Sequence, residues 1–286
     1  MSTFSRVVEV DSTGSTNADA LALADTDPEA WPHLSVLAAH HQTDGRGRAG
    51  REWVTAEGSA LTASIVLRVD LPPVRTTWVP VVVALAVRRA LTDLGVPAAT
   101  KWPNDVVLLG AGTDPVDGWG RARKVAGILV EVSPRTRALV VGIGVNLAPG
   151  SVPVEWGASL GDVGVVATPA QVLEAIGTHL PGLLDRLVAA GGDAEEAGLA
   201  DEVAQGSITI GKSVRVTLPD GSEITGRAER LDPTGALVVV DDSGEEHVLV
   251  TGDVTHVRFV QVDPALPAGD GTAGDGTVLH DDEVAP

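Results

Sequence analysis

Two of the three lysines in this 286-residue chain stand where a cation should be scarce. Lys124 opens the run Lys124-Val125-Ala126-Gly127-Ile128-Leu129-Val130-Glu131, which reads as an apolar strand. An ammonium there is costly to bury unless an anion meets it. Lys101 begins Lys101-Trp102-Pro103-Asn104-Asp105, where one strand ends and another starts, so that Lys, Asn and Asp lie side by side at a turn. The densest basic cluster runs from His40 to Trp53 and contains Gly45-Arg46-Gly47-Arg48-Ala49-Gly50-Arg51-Glu52-Trp53. Glycine alternating with arginine gives a mobile backbone carrying permanent cations, each able to grip a carboxylate or phosphate with two hydrogen bonds. Trp53 adds a flat face for a ring or base. Such a loop alone reads equally as a solvated surface run. Ser15-Thr16-Asn17 supplies hydroxyls and an amide but doubles as a helix cap, and Gly142-Ile143-Gly144-Val145-Asn146-Leu147 closes a strand on an asparagine.

The loop formally contains the G-x-G-x-x-G spacing of a dinucleotide site. That fingerprint needs a helix to open after the glycines, with its amides on the pyrophosphate. The following Trp-Val-Thr-Ala-Glu-Gly starts none, and no P-loop pattern occurs. Cysteine is absent, which removes disulfides, thiolate metal sites and thiol nucleophiles. The seven histidines lack metal-ligand spacing and read as structural. A net charge of −19 argues against nucleic acid or an anionic membrane as a partner. The N-terminus shows no signal-peptide run, and the longest apolar stretch, Trp78 to Val87, is too short to span a bilayer. A cytoplasmic protein is expected.

The elements that must position these residues follow from periodicity and turn chemistry. Strands are expected at 5–10, 34–39, 60–69, 98–102, 105–109, 124–132 and 137–145, and helices at 17–24, 76–94, 169–190 and 193–205. Strands with a few helices, without strict βαβ alternation, predict an α+β domain over 1–205. Short β-type runs at 213–218, 223–231, 236–240, 246–250 and 254–260, separated by Pro-Asp-Gly, Asp-Pro-Thr-Gly and Asp-Asp-Ser-Gly turns, predict a small β-barrel over 206–262. Residues 263–286 hold six acidic residues, no Lys or Arg, and two copies of Gly-Asp-Gly-Thr, and read as an acidic disordered tail rather than a repeated calcium loop. The 110–122 connection reads as a solvated surface insertion, and Trp31, Trp78, Trp119 and Trp156 as packing residues.

Taken in order, S-T-N, G-R-G-R-x-G-R-x-W, K-W-P-N-D, K-x-A-G-I-L-x-E and G-x-G-x-N resemble the biotin–protein ligase family over residues 15 to 147. The resemblance implies a central mixed β-sheet flanked by helices, as in class II synthetases, with an SH3-like C-terminal barrel. It also implies ATP-dependent activation of biotin to biotinyl-5′-AMP with release of pyrophosphate. Transfer to one lysine of a biotin carboxyl carrier domain in a biotin-dependent carboxylase would follow. Few residues precede Ser15, so the short form without an N-terminal DNA-binding domain is expected, as monomer or homodimer. Lipoate or octanoate ligases share the fold but lack the arginine–glycine loop, and a non-enzymatic biotin-binding module would need no Lys124.

By the same resemblance, Ser15, Thr16, Asn17 and Gln42 would face the ureido ring, while Gly45, Arg46, Gly47, Arg48 and Gly127 would enclose biotin. Lys124 would sit at the carboxylate and α-phosphate. Arg51, Lys101, Asn104, Asp105 and Asn146 would arrange the phosphates of ATP with Mg²⁺, Asp105 being a possible metal ligand, and Trp53 would pack on the adenine. Catalysis would fall to Arg48, Lys101, Asp105 and Lys124. Holding a carboxylate about 4 Å from a phosphate costs about 4 kcal/mol per charge pair at an effective dielectric near 20, which fixed cations must offset. An acyl adenylate hydrolyses if water reaches it, so the 43–52 loop should close over the intermediate. Limited proteolysis of that loop should therefore be fast in the free protein and slow with biotinyl-AMP. Equal rates would remove the lid.

Overall fold

The computed structural model describes residues 3–112 and 114–256. The segment 263–286 lies outside the described residues. The main sheet has seven strands in the order β1-β2-β3-β7-β6-β5-β4: β1 (Arg6–Thr13), β2 (Ser35–Gln42), β3 (Ala60–Leu67), β4 (Ala98–Lys101), β5 (Asp105–Leu108), β6 (Arg123–Val132) and β7 (Leu139–Asn146). Only β1 and β2 run parallel, because α1 (Thr16–Thr26) crosses between them; hairpins and longer returns make the other pairs antiparallel.

One face of this sheet is packed by α2 (Val79–Asp93) and α3 (Pro169–Ala189), with α4 (Leu199–Gln205) beside α2. Val-rich α2 is apolar on nearly every side and correspondingly buried. Its start differs from the sequence expectation: Pro73–Trp78 forms a 3-10 turn, and Pro80 then occupies the first turn of the α-helix, where its missing N–H costs nothing. Thr168 and Gln171 close a capping box at the start of α3. The acidic helix expected from 193 begins only at Leu199, since Asp193 spends its carboxylate on the amides of Glu195 and Glu196.

The opposite face is covered at two ends only. Ala20 and Ala24 of α1 pack on Leu37, Val66 and Val140 at one end. At the other, Trp119 and Ala122 of the 110–122 segment pack on Ala99 and Val107. That segment is a cover for the sheet, not solvated decoration. Between the two covers the sheet face is mostly glycine, roofed by the Trp53 indole, and the site lies there.

A second sheet follows α4, in the order β11-β10-β9-β8-β12: β8 (Ser213–Thr217), β9 (Glu223–Leu231), β10 (Leu237–Val240), β11 (Glu246–Leu249) and β12 (Asp253–His256). All of its pairs are antiparallel, and a bulge at Val238/Val239 breaks the β9–β10 register. The arrangement is consistent with an SH3-like domain, and among the described residues no ladder joins β11 to β12; the end of the strand expected over 254–260 lies outside them.

Trp102 ties the two sheets together. It follows β4, yet its indole is buried in the core of the second sheet with Val214, Val216, Ala228 and Val239. Its Nε1 donates to the Gly235 carbonyl at 3.3 Å, and its backbone N–H donates to Thr209 Oγ1 at 3.1 Å. Trp78 Nε1 donates to Pro233 O at 3.1 Å from the main sheet's side. Truncating a buried Trp to Ala costs about 3–5 kcal/mol. Trp102→Ala should therefore lower the melting temperature and detach the second sheet, read as faster amide hydrogen exchange over 209–256 than over β3 and β7.

Candidate active site

A single rung crosses the glycine-rich face. Ala39 pairs Thr62, Thr62 pairs Gly144, Gly144 pairs Gly127, Gly127 pairs Asp105 and Asp105 pairs Lys101. Facing residues on one rung share a side of the sheet. This row therefore carries a hydroxyl at one end, no side chains in the middle, and a carboxylate and an ammonium at the other. Gly142, two residues from Gly144, extends the gap. A Cβ at Gly144 would stand 2.4 Å from the Trp53 ring, and one at Gly142 2.8 Å from Asn17 Oδ1. The glycines are a trough, and Trp53 lies in it.

Lys124 reaches this face through an irregularity. Val107 pairs Lys124 while Val106 pairs Ala126, which leaves Val125 as the extra residue of a bulge. Val125 and Ala126 both turn into the helix-side core. A regular strand would have sent Lys124 there too; the bulge re-aims it beside Asp105, with Nζ 2.7 Å from Oδ1. Nζ also lies 5.7 Å from the centroid of the Trp53 ring.

The hydroxyl end is built at the start of α1. Gln42 Oε1 accepts from Thr16 N at 2.8 Å and Thr16 Oγ1 at 3.0 Å. Ser64 Oγ donates toward Thr16 Oγ1 at 2.8 Å and Asn17 Oδ1 at 2.9 Å. Asn17 Nδ2 donates to Glu131 at 2.6 Å, so Asn17 orients its neighbours as much as it lines the space. Ser15 caps α1 and lines the cavity as well, so both of its readings hold.

The arginine–glycine loop is folded back as a hairpin. Arg46 bridges Glu52, Gly47 N–H donates to Arg51 O at 2.7 Å, and Trp53 N–H donates to Gly45 O at 2.8 Å. Gly45 lies so near Trp53 that a Cβ would meet its carbonyl oxygen at 2.3 Å. Arg48 donates to Asn104 Oδ1 at 3.1 Å and Thr251 Oγ1 at 2.7 Å, and Arg51 forms an ion pair with Asp253. The turn between β11 and β12 thus holds both arginines.

Lys101 is buried, donates to the Val254 carbonyl at 2.6 Å and lies over the Trp119 ring, 4.2 Å from its centroid. Burial, aided by the charges of Lys124 and Arg51 and opposed by Asp105 and Asp253, brings its pKa down to about 8.

One cavity of about 510 Å³ joins these groups. Arg46, Arg48 and Lys124 all line it, as do Ser15, Thr16, Asn17, Gln42, Gly47, Arg51, Trp53, Lys101, Asn104, Asp105 and Gly127. Two expected residues do not. Asn146 donates its amide to the Ala158 carbonyl at 3.2 Å and so fixes the 147–160 loop, and Gly45 serves the hairpin behind the cavity. Trp53, expected on a base, rests in the glycine trough. The sequence reading missed Ser64, Thr251 and Asp253, whose roles arise from pairing across long separations. It also missed Trp119 and Trp156, which line the cavity and stack on each other with centroids 5.5 Å apart.

Residues 9–147 match the biotin/lipoate A/B protein ligase family, and residues 209–257 match the biotin protein ligase C-terminal domain. The chain is 37% identical over 251 residues to the biotin–[acetyl-CoA-carboxylase] ligase of Mycobacterium tuberculosis, spanning 86% of this chain and 87% of that one. It is 40% identical over 178 residues to the ligase of that name from Paracoccus denitrificans, covering 57% of this chain and 66% of that protein. The bifunctional ligase/repressor BirA of Bacillus subtilis matches over 120 residues, 33% of its length. In three dimensions the chain superposes on a biotin protein ligase from Aquifex aeolicus, solved with biotin and ATP, with a TM-score of 0.70 and 23% identity over 89% of this chain and all of the other. The chain belongs to the biotin/lipoate A/B protein ligase family.

Lys101 bears on anion binding. Its charge is held below about pH 8 and lost above it, whereas arginine stays protonated. Calorimetric affinity for inorganic pyrophosphate should fall as pH rises from 7 to 9, and Lys101→Arg should flatten that fall. An unchanged slope in the variant would show that another group sets it.

Proposed function

We propose that this cavity joins biotin to ATP, and that the chain is an ATP-dependent biotin–protein ligase. It forms biotinyl-5′-AMP with release of pyrophosphate, then passes biotin to a lysine of the carrier domain of a biotin-dependent carboxylase. The observation that carries this reading is the gathering of Arg46, Arg48, Lys101 and Lys124 around one cavity whose far end is made of hydroxyls and an amide. The catalytic unit is taken as 1–205 and the SH3-like unit as 206–262.

Polar Ser15, Thr16 and Gln42 suit the ureido group of biotin, and the Trp53 indole seated in the glycine trough offers an apolar wall to its bicyclic ring. The carboxylate then points toward Lys124. As the carboxylate oxygen attacks the α-phosphorus, a phosphorus–oxygen bond forms to biotin and the bond to pyrophosphate breaks, with charge growing on the transferring oxygens. Lys124 stabilises that charge from a position Asp105 has already fixed, so no reorganisation is needed at the moment of reaction. Arg48 and Arg51 must exchange Thr251 and Asp253 for phosphate oxygens, which closes the loop on its substrates. Asp105 and Asp253 are the carboxylates at the cationic end that would hold the water shell of a Mg²⁺ ion on the ATP phosphates, where it would offset their charge. In the second step the carrier amine displaces AMP, forming the amide and releasing AMP as leaving group.

Lipoate would lack a match for the hydroxyl–amide end. Incubated with ATP, Mg²⁺ and either biotin or lipoate, the protein should yield biotinyl-AMP by mass spectrometry and no lipoyl-AMP. Lys124→Ala should lower the rate of biotinyl-AMP formation by roughly 10²–10³-fold, the usual cost of losing one transition-state donor. A wild-type rate in that variant would overturn the role given to Lys124.

A further inference from the structure

The 110–122 segment is built, not loose. The buried Arg123 guanidinium donates to the carbonyls of Gly120 at 3.0 Å, Ala122 at 2.9 Å and Asp114 at 2.6 Å. Val116 N–H and the Gly120 carbonyl close a tight turn at 2.8 Å, with Trp119 near its end. Gly118, at φ 71°, lies against β12, where an added Cβ would be 2.6 Å from Thr255 Cγ2, and its carbonyl accepts from His256 N–H at 3.3 Å. These anchors fix the backbone on either side of Trp119.

There Trp119 does two things. It stacks on Trp156 with 16° between the ring planes, and it lies under the ammonium of Lys101. Trp156 in turn is stitched to the catalytic strand, because Lys124 N–H donates to its carbonyl at 2.8 Å. Trp156 as a residue is nevertheless 41% exposed, a high value for a tryptophan gripped on both its backbone and one ring face. An exposed, immobilised indole at the edge of a cavity is a platform for another flat ring. The site is also long. Thr62 on β3 and Lys101 on β4 stand four strands apart on one rung, roughly 19 Å at the usual strand spacing. Biotin at the hydroxyl end leaves the cationic, aromatic end for the nucleotide.

We propose that Trp119 is a positioning residue for the nucleotide: by stacking on Trp156 it holds that indole as the face for the purine base, and by covering Lys101 it keeps the ammonium directed at the phosphates. This rests on the ATP-dependent reading above. The segment 110–122 is therefore a nucleotide-specificity element of this chain. Bases stack without hydrogen-bond readout, so Trp119 governs affinity for a nucleoside triphosphate over inorganic triphosphate.

Steady-state formation of biotinyl-AMP by the full chain tests this with Trp119→Ala and Trp119→Phe. Trp119→Ala should raise KM for ATP about tenfold, the equivalent of one stacking contact, and leave KM for biotin within about twofold. Trp119→Phe should restore most of the loss. Calorimetry gives a second measurement: the preference for ATP over inorganic triphosphate should fall in Trp119→Ala, which a purely structural role would not change. Should Trp119→Ala not fold, Trp119→Leu keeps the bulk without the aromatic ring and carries the same expectations. An unchanged KM for ATP, or equal rises in both KM values, overturns the assignment. Absence of biotinyl-AMP from the wild-type protein would instead overturn the underlying reading, and this inference with it.

Discussion

An ammonium inside a sheet-lined cavity is costly unless a fixed negative group offsets it, and Lys124 meets Asp105 at 2.7 Å. That contact exists because Val125 is squeezed out of register. Without the bulge the same lysine would drive into the packed helices α2 and α3, where nothing offsets its charge. Asp105 occupies the same rung as Gly127, Gly144 and Thr62, so the ion pair also fixes where the trough ends and the charged region begins. The rest of the site is arranged around that boundary.

The sheet serves two purposes with its two faces. Leu61, Ala63 and Ile65 of β3 point to the helices and build the main core, whereas Thr62 and Ser64 of the same strand point to the site. In the middle of that face Gly127, Gly142 and Gly144 put no side chain of β6 or β7 into the space, which the Trp53 indole and Asn17 enter from outside the sheet. Burial of the helix-side face supplies the stability that lets the middle of the other face do without side chains of its own. Covers at either end, α1 and the 110–122 segment, prevent the exposed stretch from becoming an unprotected apolar surface.

The second sheet is part of the site. Its β11–β12 turn holds Arg48 through Thr251 and Arg51 through Asp253, and its β12 carbonyl at Val254 holds Lys101. A phosphate entering the cavity competes with protein oxygens for the same cations. The exposed Arg51–Asp253 pair is weak by nature, as two solvated charges gain little from each other, so it gives way readily. Trp102, seated in the core of the second sheet, keeps that sheet close enough for these contacts to form.

Much of this was legible in the residues. The helix over 169–190, the seven main strands and the C-terminal β-type region follow from local pattern, that is periodicity, caps and turn chemistry, whereas grouping the loop arginines with Lys124 rested on the resemblance to biotin–protein ligases. Trp102 was visible as part of a motif, and Trp119 only as a packing residue in a decorative loop. Hydrophobic alternation tells a strand from a helix, but it does not tell which face of a sheet carries ligands. It says nothing of a one-residue slip at Val125 that moves Lys124 from one face to the other. Those outcomes, like the stacking of Trp119 on Trp156 and the grip of Thr251 and Asp253 on the loop, depend on groups far apart in the chain meeting in space. Local chemistry in the sequence marked the cations that could meet an anion; packing between distant strands decided that they share one cavity.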